Sequence, residues 1–202
     1  ICHSVIAINR TTGRTKEFSP KECEIGYRSS TFKTDAENWT VTGIRMILDK
    51  SAPLRTDYGA IKETLLSRGI QKPGYSEVAE AVAAIRENKL PSPDSLGNAG
   101  SFFKNPVVPE AFAMTLKEKY PDVPCYRHKD GVRKLTAAWL LDQAGWRGKR
   151  EGHTGCYAKQ PVIVVNHGFA TGEGLLRFSR AIEKDILERF GIRLEREVVV
   201  YP

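Results

Sequence analysis

The residues with the most chemical content form one run and two distant outliers. The run is Gly97-Asn98-Ala99-Gly100-Ser101-Phe102-Phe103-Lys104, followed by Asn105-Pro106; the outliers are the pair Tyr27-Arg28 and Glu197. Glycines let a ligand approach the backbone closely and tolerate positive φ. A serine hydroxyl at the end of such a stretch donates or accepts a hydrogen bond. Phe102 and Phe103 can anchor it by burying their rings. The run therefore reads as a turn of small residues with a hydroxyl at its exit and a lysine and an asparagine beside it. Arg28 stays protonated and can offer two donors to a carboxylate. Singly, each has a plainer reading: a tight turn, a surface arginine, and a solvent-facing glutamate in an alternating strand.

The elements that must position these residues follow from periodicity and turn chemistry. Residues 3–9 alternate and predict a strand; Thr11-Thr12-Gly13 signals a turn, and residues 14–18 return as a hairpin. Ser19-Pro20 combines an N-cap with proline at the first helical position, opening a short helix through Cys23. Residues 40–48 predict another strand, and Lys50-Ser51-Ala52-Pro53 breaks the pattern as a candidate boundary. Residues 58–67 predict a helix closed by Gly69. Ser76 is expected to cap the next helix, with Val78, Val82 and Ile85 on one face, running to about Asn88. Proline keeps Lys89-Leu90-Pro91-Ser92-Pro93-Asp94 extended. Beyond the glycine run, residues 109–120 predict a helix with Phe112 and Leu116 inward. Residues 134–144 predict another, carrying Leu135, Trp139 and Leu140 into a core. Residues 161–166 predict a short buried strand. Thr171-Gly172 leads into a helix to Phe190, striped by Leu175, Phe178, Ile182 and Ile186 and ended by Gly191; residues 194–201 predict a final strand. Helices and strands mix without strict alternation, so the class is α+β.

Composition narrows the function. The 202 residues suit one or two domains, and 41% hydrophobic with 27% charged residues is ordinary globular usage. No run of about 18 apolar residues predicts a membrane span. No secretory leader is visible, and the sequence starts without Met, as if already inside a strand, so a piece of something longer is expected. Four cysteines show no paired spacing, and His153 near Cys156 lacks companions for a metal site; free thiols in a reducing cytoplasm are expected. The net charge of +7 suits an anionic partner, either nucleic acid or a phosphorylated small molecule, and its densest cluster is Arg147-Gly148-Lys149-Arg150. P-loop, dinucleotide, zinc-protease and nucleophile-elbow motifs are all missing.

Gly26-Tyr27-Arg28-Ser29-Ser30-Thr31-Phe32-Lys33 resembles the G-Y-R-x-S-x-F-K segment of the UDP-N-acetylenolpyruvoylglucosamine reductase family. Asn88-Lys89-Leu90-Pro91, the run 97–106, Lys134-Leu135 with Trp139-Leu140, and Leu194-Glu195-Arg196-Glu197-Val198 match that family in the same order, over nearly the whole chain. The resemblance implies a flavoenzyme of peptidoglycan precursor synthesis. With FAD and NADPH it would reduce UDP-N-acetylglucosamine enolpyruvate to UDP-N-acetylmuramate. It implies a substrate-binding domain of mixed helices and short sheet over residues 57–202, preceded over residues 1–56 by the end of an antiparallel FAD-binding domain. Family members carry a flavin-binding region ahead of the point where this sequence begins. Its glycine-rich pyrophosphate segments have no counterpart here, so the FAD site is expected to be incomplete. A cytoplasmic monomer without nucleic acid, membrane or metal is expected.

Roles follow from the same resemblance. Arg28 and Glu197 would stabilise the negative charge that develops when hydride adds to the enolpyruvyl group, and Ser101 would deliver the proton. Glu197 would have to be protonated, which burial or the substrate carboxylate would favour. Arg28 and Gly100 would touch the cofactor. Lys89, Asn105, Tyr126 and Gln160 would bind the substrate's pyrophosphate and uracil, and Tyr58 would sit in a loop closing over the nucleotide. Cys156-Tyr157 stands where the family usually has Val-His before Gln160. Two other classes compete. A basic nucleic-acid-binding module draws on the net charge, although aromatics do not interleave with the basic residues as a stacking platform requires. A noncatalytic UDP-sugar-binding domain is the other.

Overall fold

The computed structural model describes residues 1–34 and 38–200. The chain divides into two compact units, Ile1–Arg55 and Thr56–Pro202.

In the first unit, β1 (Cys2–Asn9), β2 (Thr15–Phe18), α1 (Pro20–Cys23), α2 (Thr31–Thr34) and β3 (Trp39–Met46) follow one another, with the antiparallel sheet ordered β2-β1-β3. The hairpin turn is local chemistry: Asn9 Oδ1 accepts the N–H groups of Thr11 and Thr12, and Gly13 takes φ 69°. The expected cap of α1 is present. Ser19 Oγ accepts the Glu22 N–H, and the Glu22 carboxylate accepts the Ser19 N–H at 2.9 Å. Val5, Ala7, Phe18 and Cys23 are buried, with the rings of Phe32 and Trp39 edge-on to Phe18 at 5.0 and 5.1 Å.

The second unit runs α3 (Ile61–Ser67), α4 (Tyr75–Lys89), β4 (Gly97–Ser101), β5 (Val107–Pro109), α5 (Glu110–Lys119), β6 (Cys125–Lys129), β7 (Val132–Leu135), α6 (Ala137–Gln143), β8 (Arg150–Glu151), β9 (Thr154–Cys156), β10 (Ile163–Asn166) and α7 (Gly172–Phe190). Its two antiparallel sheets are ordered β4-β10-β9-β8 and β5-β7-β6. Helix α7 ends where the sequence predicts: Thr171 Oγ1 accepts the Gly174 N–H at 3.1 Å, and Gly191 closes it at φ 68°. It buries Phe178, Ile182, Ile186 and Phe190 in a core shared with Phe102, Phe103, Leu135, Leu140 and Leu141. The combination of helices with antiparallel sheets is α+β.

Several elements differ from the expectation, each for a physical reason. The glycine run is a strand, because the ladder needs only backbone and β10 supplies the apolar side chains. Helix α3 starts at Ile61 rather than residue 58, since Gly59 at φ 60° cannot be helical. Gly74, not Ser76, precedes α4: the Glu77 carboxylate reaches back to the Gly74 N–H at 2.9 Å. Phe112 is 37% exposed; Ala113 and Leu116 are the buried residues of α5. Residues 132–135 pair as β7, turned by Asp130-Gly131 with Gly131 at φ 74°, so the helix begins only after Thr136. Residues 194–200 form no continuous strand; one bridge, Phe103 to Arg196, stands in its place, and Tyr201 lies outside the described residues. All four cysteines are free, and burial pushes the Cys156 thiol up to about 12. No helix among the described residues is long and apolar enough to cross a membrane.

Candidate functional site

Ser101 sits at the end of a deliberately irregular strand. Ile163 faces Ser101 while Val165 faces Asn98, so β4 carries one extra residue over that interval. Gly100 absorbs this bulge at φ 73°. Asn98 reinforces it, accepting the Gly100 N–H at 3.0 Å and donating to the Leu96 carbonyl at 2.8 Å. A methyl group at Gly100 would meet nothing within 4 Å, so the backbone there borders open space. Past the bulge, Ser101 is exposed, while Phe102 and Phe103 are buried with their rings edge-on at 5.2 Å. The two phenylalanines anchor the hydroxyl in the way their sequence position implies.

The C-terminal segment returns to this point. The Glu197 N–H donates to the Phe102 carbonyl at 2.8 Å, and the Lys104 N–H donates to the Glu195 carbonyl at 2.8 Å. These bonds frame the bridge between Phe103 and Arg196. The Lys104 ammonium also pairs with the Glu195 carboxylate. Thus Glu197, far away in sequence, is hydrogen-bonded through its backbone to Phe102, the residue after Ser101.

A second group gathers on the three-stranded sheet. Tyr126 on β6, 56% exposed, faces Lys134 on β7 across the ladder, and Lys134 faces Val107 on β5. Asn105 lies just before β5, and its Oδ1 accepts the Ala137 N–H at 2.9 Å. Asn105 therefore caps α6 from a distance, in place of Thr136, whose side chain makes no cap bond. The end of α4 at Lys89 and the turn that holds Gln160 are linked by their neighbours: Lys159 Nζ donates to the Asn88 carbonyl at 2.9 Å. Tyr58 belongs to none of these groups. Tyr58 precedes α3 and is 83% exposed.

Arg28, in the first unit, occupies a tight turn closed by Gly26 N–H to Ser29 carbonyl at 3.0 Å and Ser29 N–H to Gly26 carbonyl at 3.4 Å. It adopts φ 56°, a left-handed conformation that costs a residue with a Cβ about 1–2 kcal/mol. Its guanidinium carbon lies 5.9 Å from the Tyr27 ring centroid. Strain of this kind concentrates at functional positions.

Lys134 was missed as a candidate by sequence reasoning. The Asp130-Gly131 hairpin signal would have turned β7 back on β6 and set Lys134 opposite Tyr126. The basic cluster at residues 147–150 is engaged internally: Arg147 Nη2 donates to Asp142 at 2.9 Å, and Lys149 Nζ lies 3.8 Å from the Trp146 ring centroid. Hydrogen bonding from Arg147 holds the Asp142 carboxyl below its ordinary range. Among the described residues, no group of three or more His, Cys, Asp or Glu could hold a metal ion.

Comparison with known proteins gives this arrangement a context. The sequence model of the UDP-N-acetylenolpyruvoylglucosamine reductase C-terminal domain matches residues 92–201, more than half of the chain. The UDP-N-acetylenolpyruvoylglucosamine reductase of Pseudomonas savastanoi pv. phaseolicola is 44% identical over 201 residues, covering 100% of this chain and 59% of that protein. The same-named protein of Azoarcus sp. strain BH72 is 45% identical over 193 residues, covering 96% of this chain and 56% of that protein. The chain thus spans less than two thirds of the length of these relatives. The crystal structure of UDP-N-acetylenolpyruvylglucosamine reductase from Thermus caldophilus shares the fold, with a TM-score of 0.58 at 22% identity over 100% of this chain and 53% of the other. On the extent of the domain match, the chain belongs to the UDP-N-acetylenolpyruvoylglucosamine reductase family.

Proposed function

We propose that this chain carries the substrate-binding and proton-handling groups of a cytoplasmic reductase acting on UDP-N-acetylglucosamine enolpyruvate, yielding UDP-N-acetylmuramate for peptidoglycan precursors. The observation that supports this best is the hydrogen bond from Glu197 N–H to the Phe102 carbonyl, beside the exposed Ser101 and the open Gly100 bulge. It joins the backbone of Glu197 to the residue that follows Ser101, next to a bulge that a flat ligand can approach.

Hydride addition to the β-carbon of the enolpyruvyl ether leaves negative charge on the α-carbon and its carboxylate. Fixed donors aimed at that charge lower the barrier. Ser101 transfers its hydroxyl proton to the α-carbon, completing the lactyl ether and leaving an alkoxide to be reprotonated. Glu197, in its acid form, donates to the developing charge; Arg28 offers its guanidinium to the carboxylate. The absence of a side chain at Gly100 fits the close approach of a flavin ring, and Arg28 and Gly100 are the residues of this chain that would hold one. FAD, when bound, supplies hydride drawn from NADPH. Tyr126, Lys134 and Asn105 hold the pyrophosphate through a cation and neutral donors, while Lys89 and Gln160 hold the remainder of the nucleotide. Tyr58 closes over it.

The test is Ser101→Ala in the flavin-loaded full-length reductase carrying this sequence, followed by stopped flow. Flavin reduction by NADPH should stay within about twofold of the parent, while reoxidation by the enolpyruvyl substrate slows by about 10²–10⁴-fold. Unaltered rates in both half-reactions would rule out the proton-donor role.

A further inference from the structure

Residues 192–197 place Glu197 without any regular strand of their own. Ile192 and Leu194 are buried at 2% and 5% exposure, which fixes the start of the segment. The next two residues form ion pairs with different elements. Glu195 pairs with Lys104, but its side chain is 72% exposed, so solvent screens that pair. Arg196 Nε lies 2.9 Å from Glu183 Oε1 on α7, and both side chains are largely shielded, at 31% and 25% exposure. Glu183 Oε1 is itself buried and receives no aligned hydrogen bond, so the Arg196 charge compensates it by proximity. Helix α7 is a firm support, capped at both ends and packed into the core.

We propose that the Arg196–Glu183 pair is a positioning device for Glu197: it ties the residue immediately before Glu197 to α7 and so sets where the carboxyl group stands. Arg196 and Glu183 act through Glu197 and touch no substrate. This inference rests on the role proposed for Glu197. Three anchors converge on one short segment: buried Leu194, the backbone ladder to Phe102 and Lys104, and the charge pair to α7. Of these, the charge pair is the side-chain anchor made by the residue next to Glu197. Releasing it leaves the backbone ladder intact but lets the segment pivot about it, and a shift of about 1 Å in a catalytic group can cost on the order of 10²-fold in rate.

The experiment compares Arg196→Met, Glu183→Gln and the charge-exchanged double variant Glu183→Arg/Arg196→Glu. On the 202-residue chain, amide hydrogen exchange is read at residues 195–198 and along α7. In the flavin-loaded full-length reductase, the two half-reactions are read separately. Each single variant should speed exchange at residues 195–198 by about tenfold or more while α7 stays protected. Substrate-driven reoxidation should slow by about 10–100-fold, with flavin reduction and substrate affinity within about threefold of the parent. The exchanged pair should recover most of both losses. Single variants with unaltered exchange, or an exchanged pair no better than either single, would overturn the proposal. Glu197→Gln serves as control. Should it leave reoxidation unaltered, the role of Glu197 falls and the exchange data alone decide whether the pair positions the segment.

Discussion

Replacing Asn105 separates two jobs that one side chain is asked to do. Its Oδ1 accepts the Ala137 N–H at 2.9 Å and so caps a seven-residue helix whose Ala137, Leu140 and Leu141 are 0% exposed. Removing a helix cap costs about 1 kcal/mol, within a range of about 0.5–2. A partly buried N–H left without a partner costs about 1–3 kcal/mol, so Asn105→Ala should lose about 1–2 kcal/mol. For a chain of this size that is a Tm drop of about 2–8 °C. Asn105→Asp keeps an acceptor oxygen and adds negative charge at a helix N-terminus, which is favourable by about 0.3–1 kcal/mol. Its Tm should therefore lie above that of the Asn105→Ala variant. The same change removes the amide donor and sets an anion where the pyrophosphate is proposed to bind, so affinity for UDP-N-acetylglucosamine should fall by about tenfold or more. Calorimetry reads both quantities on one preparation. An Asp variant as destabilised as the Ala variant would refute the capping argument, and an Asp variant that binds the UDP-sugar like the parent would refute the ligand role.

Two further outcomes test other parts of the structure. The Glu22 carboxyl is lowered to about 2, first by the Ser19 backbone N–H and then by Lys16 and the Ser19 hydroxyl. A folded value below the ordinary 4.5 means that this contribution to stability is fully present above pH 4.5 and is lost as pH falls towards about 2. Glu22→Gln keeps the capping acceptor without the titration, so the acid unfolding of β1 and β2, followed by amide NMR, should be flatter over that window; an unchanged slope would count against it. Gly100→Ala meets no neighbour within 4 Å but must hold φ 73°. Its cost should be the backbone term alone, about 1–2 kcal/mol in chemical denaturation of the second unit, and a loss above about 4 kcal/mol would show that the bulge is not open.

Legibility in the sequence follows how local the determinants are. The hairpin at Thr11-Thr12-Gly13, the cap at Ser19 with Glu22, and the span of α7 from Thr171 to Gly191 are set by neighbours within a few residues, and each stands where its pattern predicts. The run Gly97-Asn98-Ala99-Gly100-Ser101 carries no β-forming side chain; it is a strand because Ile163, Val164 and Val165 on β10 bring the burial. Strand β7 was readable from Asp130-Gly131, but Leu135 continued the apolar stripe of α6 and so read as helix. The remote cap by Asn105 has no local signature, because the donor it serves lies beyond three strands and a helix.

The backbone bond of Glu197 to Phe102, the residue after Ser101, belongs to the same non-local class, and the way it is made separates placement from chemistry. Glu197 is held through its backbone N–H on Phe102, and the Phe102 ring is buried in the core. A change of side chain at Ser101 or Glu197 therefore leaves those backbone and core anchors in place, so Ser101→Ala and Glu197→Gln report on the proposed chemistry. Moving the pair requires disturbing Phe102, Phe103, Leu194 or the Arg196 charge, whose effects on stability or local protection are visible without any substrate. Rate losses without loss of protection at residues 195–198 point to the hydroxyl and the carboxyl themselves; losses of both point to the segment that carries them.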